Sequence, residues 1–484
     1  MLVGGAWRYA HLDNRPLHAD EAVQAWQTWR LLDGAGYRYD PLDRHGPWLY
    51  FGSAALHRFT GGEAADYDDH AARIFVLLAG VATLALSAWG PRWAAGTTPW
   101  VGAFAVALLA LETLSSLYHT YFVQEAWLAL WVWAFFWVGL RLAGQTEVRA
   151  RDVFGLGLLA GLAQTNKEIT PLYLGLAALA GWAAHGGRWF VPRWSTVGWG
   201  VAGFLLPVGL FYSSFGSHPA GVLDAFRTYG LQAARLSESP HTYPWWHYLR
   251  TLGVLPTGGP RWGQYLLLAL ALAGVVESLR PQANRAHRAV AYFTVSLLVV
   301  HSVISYKTPW LMLTPVIGIG LLAAQALAWL AARGRWAAVA AVVVAGATVA
   351  QCWQVGRLAL DRYPGDARNP YFYEQTPRAF MRLPDRIAQL EENLGRPLRI
   401  AVFSPEDAWP LPWYLREHAT VGYMDDVPVN LGDWDMVVWD TQWGEGPWTG
   451  FDDRVVEYVG LRPNGLLEIS IASPVWEATF SPLP

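Results

Sequence analysis

The sequence predicts a polytopic α-helical membrane protein that carries a soluble α/β domain at its C-terminal end. Hydrophobic residues make up 53% of the 484 residues and charged residues only 15%, well below the roughly 25% of a soluble domain. The charges are uneven, because residues 357–484 hold 20 of the 38 acidic residues. Residues 73–352 are instead a series of apolar runs. We therefore predict an outer loop at 1–72, a transmembrane helical domain at 73–352 and a soluble domain at 357–484.

Ten apolar runs have the composition of membrane-crossing helices, and most approach the roughly 20 residues that a bilayer core of about 30 Å requires. They lie at 73–90, 98–118, 120–142, 152–170, 171–184, 197–212, 263–279, 289–306, 309–331 and 335–352. The fifth run is short and begins at Pro171, a residue that the first turn of a helix tolerates. We expect about 10–11 transmembrane helices, the additional one being a leading helix.

Arginine placement predicts the orientation, since cytoplasmic loops carry an excess of Lys and Arg. If residues 1–72 lie outside, the cytoplasmic loops carry eleven arginines: Arg92, Arg141, Arg149, Arg151, Arg188, Arg193, Arg280, Arg285, Arg288, Arg333 and Arg335. Ten crossings then return the C-terminal domain to the extracytoplasmic side. We predict a multi-pass protein of the cell (inner) membrane. An outer N-terminal loop also needs a preceding helix, so we expect the segment MLVGGAWRYA to be the remnant of a truncated one.

The C-terminal domain has an α/β pattern. Residues 378–395 have helical spacing and end at Gly395, a residue typical of helix C-caps. Short apolar runs at 399–403, 434–440, 454–461 and 467–472 predict strands, and residues 409–418 predict a short helix or a turn.

The first outer loop contains RPLHADEAVQAW, with His18, Asp20 and Glu21, followed by YRYDPLDRHGPWLYF, with His45. Adjacent carboxylates beside a histidine at a membrane surface can supply a general base or ligands for a divalent metal. An equally simple interpretation is a helix start, because acidic side chains in a first turn are favoured by the helix dipole.

Four further ionisable residues lie at the outer ends of predicted helices. Glu125 begins an apolar run, and an acidic residue in such a place is a functional candidate. Lys167 and Lys307 are the only lysines among 35 basic residues, and Glu168 follows Lys167. A compact ammonium meets a phosphate oxygen as a point charge. Codon bias and ordinary helix-end cations are the alternative explanation. Glu112 lies deeper in its run, where we expect a neutral or paired glutamate.

Carboxylates, histidines and lysines on one membrane face suit a lipid-linked phosphate substrate. The lipid would lie among the helices, the phosphate would meet the cations, and an acidic group would activate an acceptor. A formal net charge of −3 argues against nucleic acid, which needs a basic surface.

These motifs resemble the GT-C superfamily of membrane glycosyltransferases, which includes the dolichyl-phosphate-mannose protein mannosyltransferases. The resemblance is strongest to the prokaryotic branch of flippase-activity-associated proteins. It rests on RPLHADEAVQAW, YRYDPLDRHGPWLYF, YFVQEAW, NKEITP, SYKTPW, NPYFYEQTP and WPLPWYLR, which span most of the chain. The superfamily begins with a transmembrane helix before the acidic loop, and this sequence departs from that pattern.

The resemblance implies an inverting transfer of a sugar from a polyprenyl-phosphate donor to a glycan, lipid or protein acceptor. Asp20 would match the acid that acts as general base or holds a divalent metal such as Mg²⁺ or Mn²⁺. Glu125 would match the second acid of the same site, and Lys167 and Lys307 would meet the donor phosphate.

Two other functions fit the same residues. A flippase for lipid-linked sugars, or an accessory to one, would keep its function without Asp20. Transporters usually carry inverted repeats and midplane sites, and the sequence shows no clear repeat. A scaffold whose C-terminal domain binds glycan or protein is the third hypothesis.

Overall fold

The computed structural model describes residues 1–484 except 43, 146, 188–193, 236–241, 405–407, 419, 425–432, 445, 447–452, 464 and 481–484. The chain divides into two compact units. The second unit comprises Asp13–Trp26, Pro364–Ala367 and Phe372–Pro484, and the first unit comprises the rest. The acidic segment of the first outer loop therefore groups with the C-terminal residues, whereas the sequence analysis placed it in a separate segment 1–72.

Helices dominate the first unit. They are α1 (Leu2–Tyr9), α3 (Trp48–Phe59), α4 (Asp69–Ala95), α5 (Pro99–Leu109), α6 (Thr113–Tyr118), α7 (Glu125–Ala143), α8 (Ala150–Gln164), α9 (Thr170–Ala184), α10 (Trp194–Tyr212), α11 (Gly221–Arg235), α12 (His247–Thr251), α13 (Tyr265–Ser278), α14 (Arg285–Val303), α15 (Leu313–Ala331) and α16 (Arg335–Gly356). Helix α2 (Ala19–Leu32) begins in the second unit and ends in the first.

Six helices in the described part of the chain are long and apolar enough to cross a membrane. They are α4, α7, α10, α14, α15 with the turn before it, and α16 with the turn after it. Helices α5, α9 and α13 are apolar but shorter. Each of the ten predicted runs overlaps one of these nine helices or α8. The predicted multi-pass helical membrane fold is thus confirmed.

The predicted run 98–118 is not one helix. Helix α5 ends at Leu109 and α6 begins at Thr113, and the carboxylate of Glu112 between them accepts hydrogen bonds from the first backbone N–H groups of α6. The buried guanidinium of Arg8, in α1, donates to the carbonyls of Leu109 and Ala110 at 3.0 and 2.8 Å. Glu112 therefore caps a helix at a break, because backbone groups at such a break need partners.

Close helix packing in the first unit depends on small residues. A Cβ added to Gly157 in α8 would lie 2.0 Å from the carbonyl oxygen of Gly200 in α10. One added to Gly203 would meet the Phe154 carbonyl oxygen at 2.2 Å. Glycines allow two backbones to approach this closely, as is common between membrane helices. Helix α15 is central, with every residue from Leu313 to Ala328 buried.

The second unit contains a five-stranded sheet in the order β2-β1-β3-β5-β4. The strands are β1 (Ile400–Phe403), β2 (Val421–Met424), β3 (Met436–Asp440), β4 (Arg454–Arg462) and β5 (Gly465–Ala472), and the helices are α17 (Arg382–Leu394), α18 (Leu411–Tyr414) and α19 (Ser473–Phe480). Strands β2, β1 and β3 are parallel, whereas β5 runs antiparallel to β3 and β4. Residues of α17 and α19 join the apolar side chains of one sheet face in the main core.

Most of the predicted elements of this domain are present. The helix ends at Gly395, whose φ of 66° is left-handed as a glycine C-cap requires, and the four predicted strands match β1, β3, β4 and β5. Strand β2 was not predicted, because its sequence VGYM is short and contains a glycine. The predicted soluble α/β domain is confirmed as a fold.

Candidate functional site

The acidic motif of the second unit forms the start of α2. His18 occupies the N-cap position, and its Nδ1 accepts a hydrogen bond from the backbone N–H of Asp20 at 3.0 Å. The Glu21 carboxylate accepts one from the backbone N–H of His18 at 3.0 Å. This reciprocal pattern is a capping box with histidine in the place usual for Ser or Thr. Burial lowers the pKa of His18, which keeps the imidazole neutral and its Nδ1 able to accept.

The two adjacent carboxylates have different environments. Glu21 is fully buried, and its other oxygen lies 3.7 Å from the guanidinium of Arg15. The Asp20 side chain is 52% exposed, and its carboxylate makes no hydrogen bond to a described residue, with His18 Nδ1 4.0 Å away. The helix-start interpretation thus accounts for Glu21 better than a catalytic role does. Asp20 is the accessible acid of the pair.

Side chains from the C-terminal sequence hold the backbone before the acidic motif, all within the second unit. The Tyr414 hydroxyl accepts the N–H of Leu17 at 2.8 Å. Gln375 donates to the carbonyl of Pro16 at 3.1 Å, and Arg378 donates to that of Asn14 at 2.5 Å. Tyr414 belongs to WPLPWYLR and Gln375 to NPYFYEQTP. The sequence analysis used these strings for the resemblance and for a short helix, and it missed the contacts that Tyr414 and Gln375 make with the first outer loop.

In the first unit, Glu125 and Lys167 form an ion pair. Glu125 is the first residue of α7, where the helix dipole favours a negative charge. Its carboxylate accepts a hydrogen bond from Lys167 Nζ at 2.5 Å. The two side chains are only 4% and 13% exposed. Two of the predicted site residues, 42 positions apart, are therefore in direct contact.

Lys307 caps the C-terminal end of α14. Its ammonium donates to the carbonyls of His301 and Ser302 at 2.8 and 2.9 Å and also to the carbonyl of Ile304. An ammonium has three N–H groups, so all of them are engaged at the helix end. A phosphate could bind Lys307 only by replacing one of these bonds, and this contact stays a prediction.

His45 and Glu168 form a second pair in the first unit. His45 Nδ1 lies 3.0 Å from a carboxylate oxygen of the buried Glu168. The Tyr39 hydroxyl donates to the other oxygen over 3.5 Å. Glu168 is next to Lys167 in the loop between α8 and α9, so this pair and the Glu125 pair share one loop.

The sequence analysis missed a buried histidine–tyrosine pair. His301 in α14 lies 2.7 Å from the hydroxyl of Tyr173 in α9, and its carbonyl is one of those that Lys307 caps. The available signal was an ionisable residue inside a predicted membrane helix, which is a functional candidate by default.

An apolar cavity of about 690 Å³ lies in the first unit. Its lining is mainly aromatic and includes Trp48, Phe51, Phe75, Trp127, Phe211 and Phe215. Trp127 follows Glu125 by two residues and Trp48 follows His45 by three. Arg58 is the charged residue in its described lining, and cavities with apolar walls and a few polar groups are the usual form of ligand sites.

The expected divalent metal lacks a preformed ligand cluster among the described residues. No group of three or more His, Cys, Asp or Glu side chains there is arranged to hold an ion. The Glu125 carboxylate is already paired with Lys167. Metal binding by Asp20 and Glu125 stays a prediction. These two residues belong to different units.

Comparison with solved structures identifies the fold. The chain is similar to ArnT from Cupriavidus metallidurans bound to undecaprenyl phosphate, with a TM-score of 0.60 and 14% identity over 97% of this chain and 96% of that chain. The chain has the GT-C fold. The oligosaccharyltransferase AglB from Archaeoglobus fulgidus, in complex with an inhibitory peptide and a dolichol-phosphate, gives 0.52 and 11% identity over 96% and 73%.

The GT-C fold covers both units of this chain. No protein-family model matches the sequence, and no curated protein matches it significantly. The resemblance to the flippase-activity-associated branch therefore stays a prediction, whereas the GT-C architecture is established by structure.

Proposed function

We propose that the chain is a glycosyltransferase that moves a sugar from a polyprenyl-phosphate donor to an acceptor at the extracytoplasmic membrane face. The observation that carries this proposal is the single accessible carboxylate, Asp20, in the acidic motif of a chain with the GT-C fold. Glu21 and His18 support that carboxylate by fixing the first turn of α2.

Asp20 is proposed as the general base. The acceptor oxygen attacks the anomeric carbon, its proton passes to the Asp20 carboxylate, and the bond from the anomeric carbon to the phosphate oxygen breaks. A displacement from the opposite face inverts the configuration at that carbon. Positioned acids and bases contribute roughly 10²–10⁴-fold to rate, so loss of the Asp20 carboxylate should lower the rate by a factor in this range.

The donor phosphate is assigned to the loop that carries Lys167 and Glu168. Lys167 is 13% exposed and retains N–H groups beyond the one it donates to Glu125. His45 is half-buried beside Glu168. Lys307 adds positive charge at the end of α14, and the aromatic cavity suits the apolar part of a lipid donor. Undecaprenyl phosphate in ArnT and dolichol-phosphate in AglB are ligands of the same amphiphilic class.

A divalent metal is a separate part of the proposal, with Asp20 and Glu125 as candidate ligand residues, each within its own unit. Mg²⁺ and Mn²⁺ prefer carboxylate ligands, and a bound ion would help to neutralise the charge of the leaving phosphate. Removal of metal with EDTA followed by addition of Mg²⁺ or Mn²⁺ tests it, and transfer that is unaffected by EDTA would refute it.

The experiment uses the purified full chain in lipid nanodiscs with candidate polyprenyl-phosphate sugars and candidate acceptors. Asp20→Asn should lower transfer by at least about 100-fold while the thermal unfolding profile is unchanged. Asp33→Asn is the matched control, since Asp33 is an exposed aspartate just after the same helix. Transfer that survives Asp20→Asn would refute the proposal. Sugar-lipid movement across liposomes that survives it would favour the flippase hypothesis.

A further inference from the structure

The histidine–glutamate pair of the first unit has the geometry of an oriented proton donor. His45 Nδ1 faces the Glu168 carboxylate at 3.0 Å. Its side chain is 36% exposed, whereas that of Glu168 is 8% exposed. The bond to Glu168 is the only one that the imidazole makes to a described residue. A carboxylate on one ring nitrogen fixes the ring and leaves the other nitrogen for chemistry.

The local backbone is built to hold this pair. The N–H of Gly46 donates to the carbonyl of Asn166 at 3.0 Å, and the N–H of Trp48 donates to that of Thr165 at 3.0 Å. The segment after His45 therefore lies directly against the loop that carries Glu168. A Cβ added to Gly46 would lie 2.2 Å from the Thr165 carbonyl oxygen, so only glycine permits this contact.

Charged and titratable groups from several segments lie around the His45–Glu168 pair. Glu168 is the acid in direct contact, and it also accepts the hydroxyl of Tyr39. Two cations adjoin the pair along the chain: Arg44 precedes His45, and Lys167, whose ammonium is paired with Glu125, precedes Glu168. Tyr212 of α10 and Tyr229 of α11 are further titratable groups that act on Glu168. Glu168 is thus the carboxylate in direct contact with the imidazole.

We propose that His45, oriented by Glu168, is the proton donor to the phosphate group of the polyprenyl-phosphate substrate. This inference rests on the proposed function and deepens it by assigning the leaving-group proton. Imidazole is suited to this role because it changes charge between pH 5 and 8, the range in which a phosphate monoester also changes between its dianion and its monoanion.

The step balances as follows in atoms and charge. The acceptor oxygen bonds to the anomeric carbon and loses its proton to Asp20. The bond between that carbon and the phosphate oxygen breaks, and its electron pair stays on the phosphate. The Nε2–H proton of the His45 imidazolium passes to the phosphate, which leaves as a monoanionic monoester. His45 becomes a neutral imidazole that is still held by Glu168.

The first test measures binding, so it does not depend on transfer. Affinity for farnesyl phosphate and for farnesol is measured by calorimetry from pH 5.5 to 9 for the wild type, His45→Asn and His45→Gln. Asparagine can keep the bond to Glu168 but lacks the outer nitrogen. The wild type should bind farnesyl phosphate about 10-fold more tightly than His45→Asn near pH 6, as expected for one charge-assisted hydrogen bond. The ratio should approach 1 near pH 9.

Farnesyl phosphate itself ionises in the same way with every variant. The ratio of wild-type to His45→Asn affinity therefore reports the contribution of His45. His45→Gln, which keeps a donor but cannot titrate, should bind farnesyl phosphate with a pH profile that lacks the His45 contribution. His287→Gln is the matched control, because His287 pairs with Glu277 over 3.4 Å elsewhere in the same unit, and it should behave as the wild type. A wild-type to His45→Asn ratio that is independent of pH would overturn the inference, as would equal affinities for farnesyl phosphate and farnesol.

The second test measures the rate of sugar transfer against pH. The wild type should lose kcat on the alkaline side, and His45→Asn should be slower and lack that loss. If the binding ratio depends on pH but no transfer occurs, the contact between His45 and the phosphate is supported and the proposed function is refuted. Transfer with unchanged alkaline dependence in His45→Asn would retain the proposed function and refute the role of His45.

Discussion

The buried ion pair between Glu125 and Lys167 allows stability and function to be separated. In Lys167→Met the Glu125 carboxylate, 4% exposed, loses its partner. Removal of one member of a buried pair typically costs about 3–5 kcal/mol. In Glu125→Gln the uncompensated ammonium is 13% exposed and still attracted by Glu168. We therefore expect a smaller loss of about 2–4 kcal/mol in the free energy of unfolding.

The double variant Glu125→Gln/Lys167→Met removes both charges and should lie within about 1 kcal/mol of the wild type, since replacing a whole buried pair is often nearly neutral. Reversible unfolding in mixed SDS micelles measures all four proteins as a double-mutant cycle. Additive losses would refute the reasoning, because they would mean that the two charges do not depend on each other. The double variant should still bind farnesyl phosphate more weakly than the wild type, because the cation assigned to phosphate is gone.

Three further predictions concern the backbone and the second unit. Gly46→Ala should lower both the unfolding free energy and transfer, because the added methyl group would collide with the Thr165 backbone. Tyr414→Phe should lower transfer with an unfolding loss of about 0.5–1.5 kcal/mol, because it removes the hydroxyl that accepts the Leu17 N–H. A bidentate arginine lowers the pKa of Asp435 from 3.8 to about 2. The lowered pKa of Asp435 in the folded protein contributes about 2 kcal/mol of stability, which is present above pH 4 and lost as the pH falls towards 2.

Matched controls accompany these variants. Gly139→Ala should have little effect, because a Cβ there meets nothing within 4 Å, and an equal loss from both glycine variants would contradict the collision argument. Tyr458→Phe changes an exposed tyrosine of β4. The loss of unfolding free energy in Tyr414→Phe must exceed the loss in Tyr458→Phe. The protection of the β1 and β3 amides against hydrogen exchange in the full chain measures the stability that Asp435 contributes. In Asp435→Asn this protection should depend less on pH between pH 4 and 2 than in the wild type. Equal dependence would contradict the assigned pKa.

Most of the fold could be predicted, because apolar run length reports membrane helices directly. The prediction that failed concerns a local break within one predicted helix. The run 98–118 is predicted as a single helix, yet Glu112 caps a second helix within it, and Arg8 from α1 binds the carbonyls at the end of the first. That partnership joins residues about 100 positions apart, and periodicity within a single run does not contain it.

The residues of the candidate site were predicted from their residue types, and the structure then distinguishes the different roles that they have. Glu125 and Lys167 could be proposed as charges at helix ends, but their contact depends on how α7 meets the loop before α9. Glu21 and Lys307 were chosen on the same chemical grounds, and structure shows one as a helix cap and the other bound to helix-end carbonyls. A sequence shows which groups can ionise, whereas only packing determines which of them stays accessible.

The most direct test of the proposed function is sugar transfer by the purified full chain and by Asp20→Asn, in parallel with Asp33→Asn. The measured quantity is the rate at which labelled sugar passes from a polyprenyl-phosphate donor to an acceptor. We predict transfer by the wild type and by Asp33→Asn, and a loss of at least about 100-fold in a folded Asp20→Asn. Equal rates in all three proteins would contradict the assignment of Asp20 as the general base.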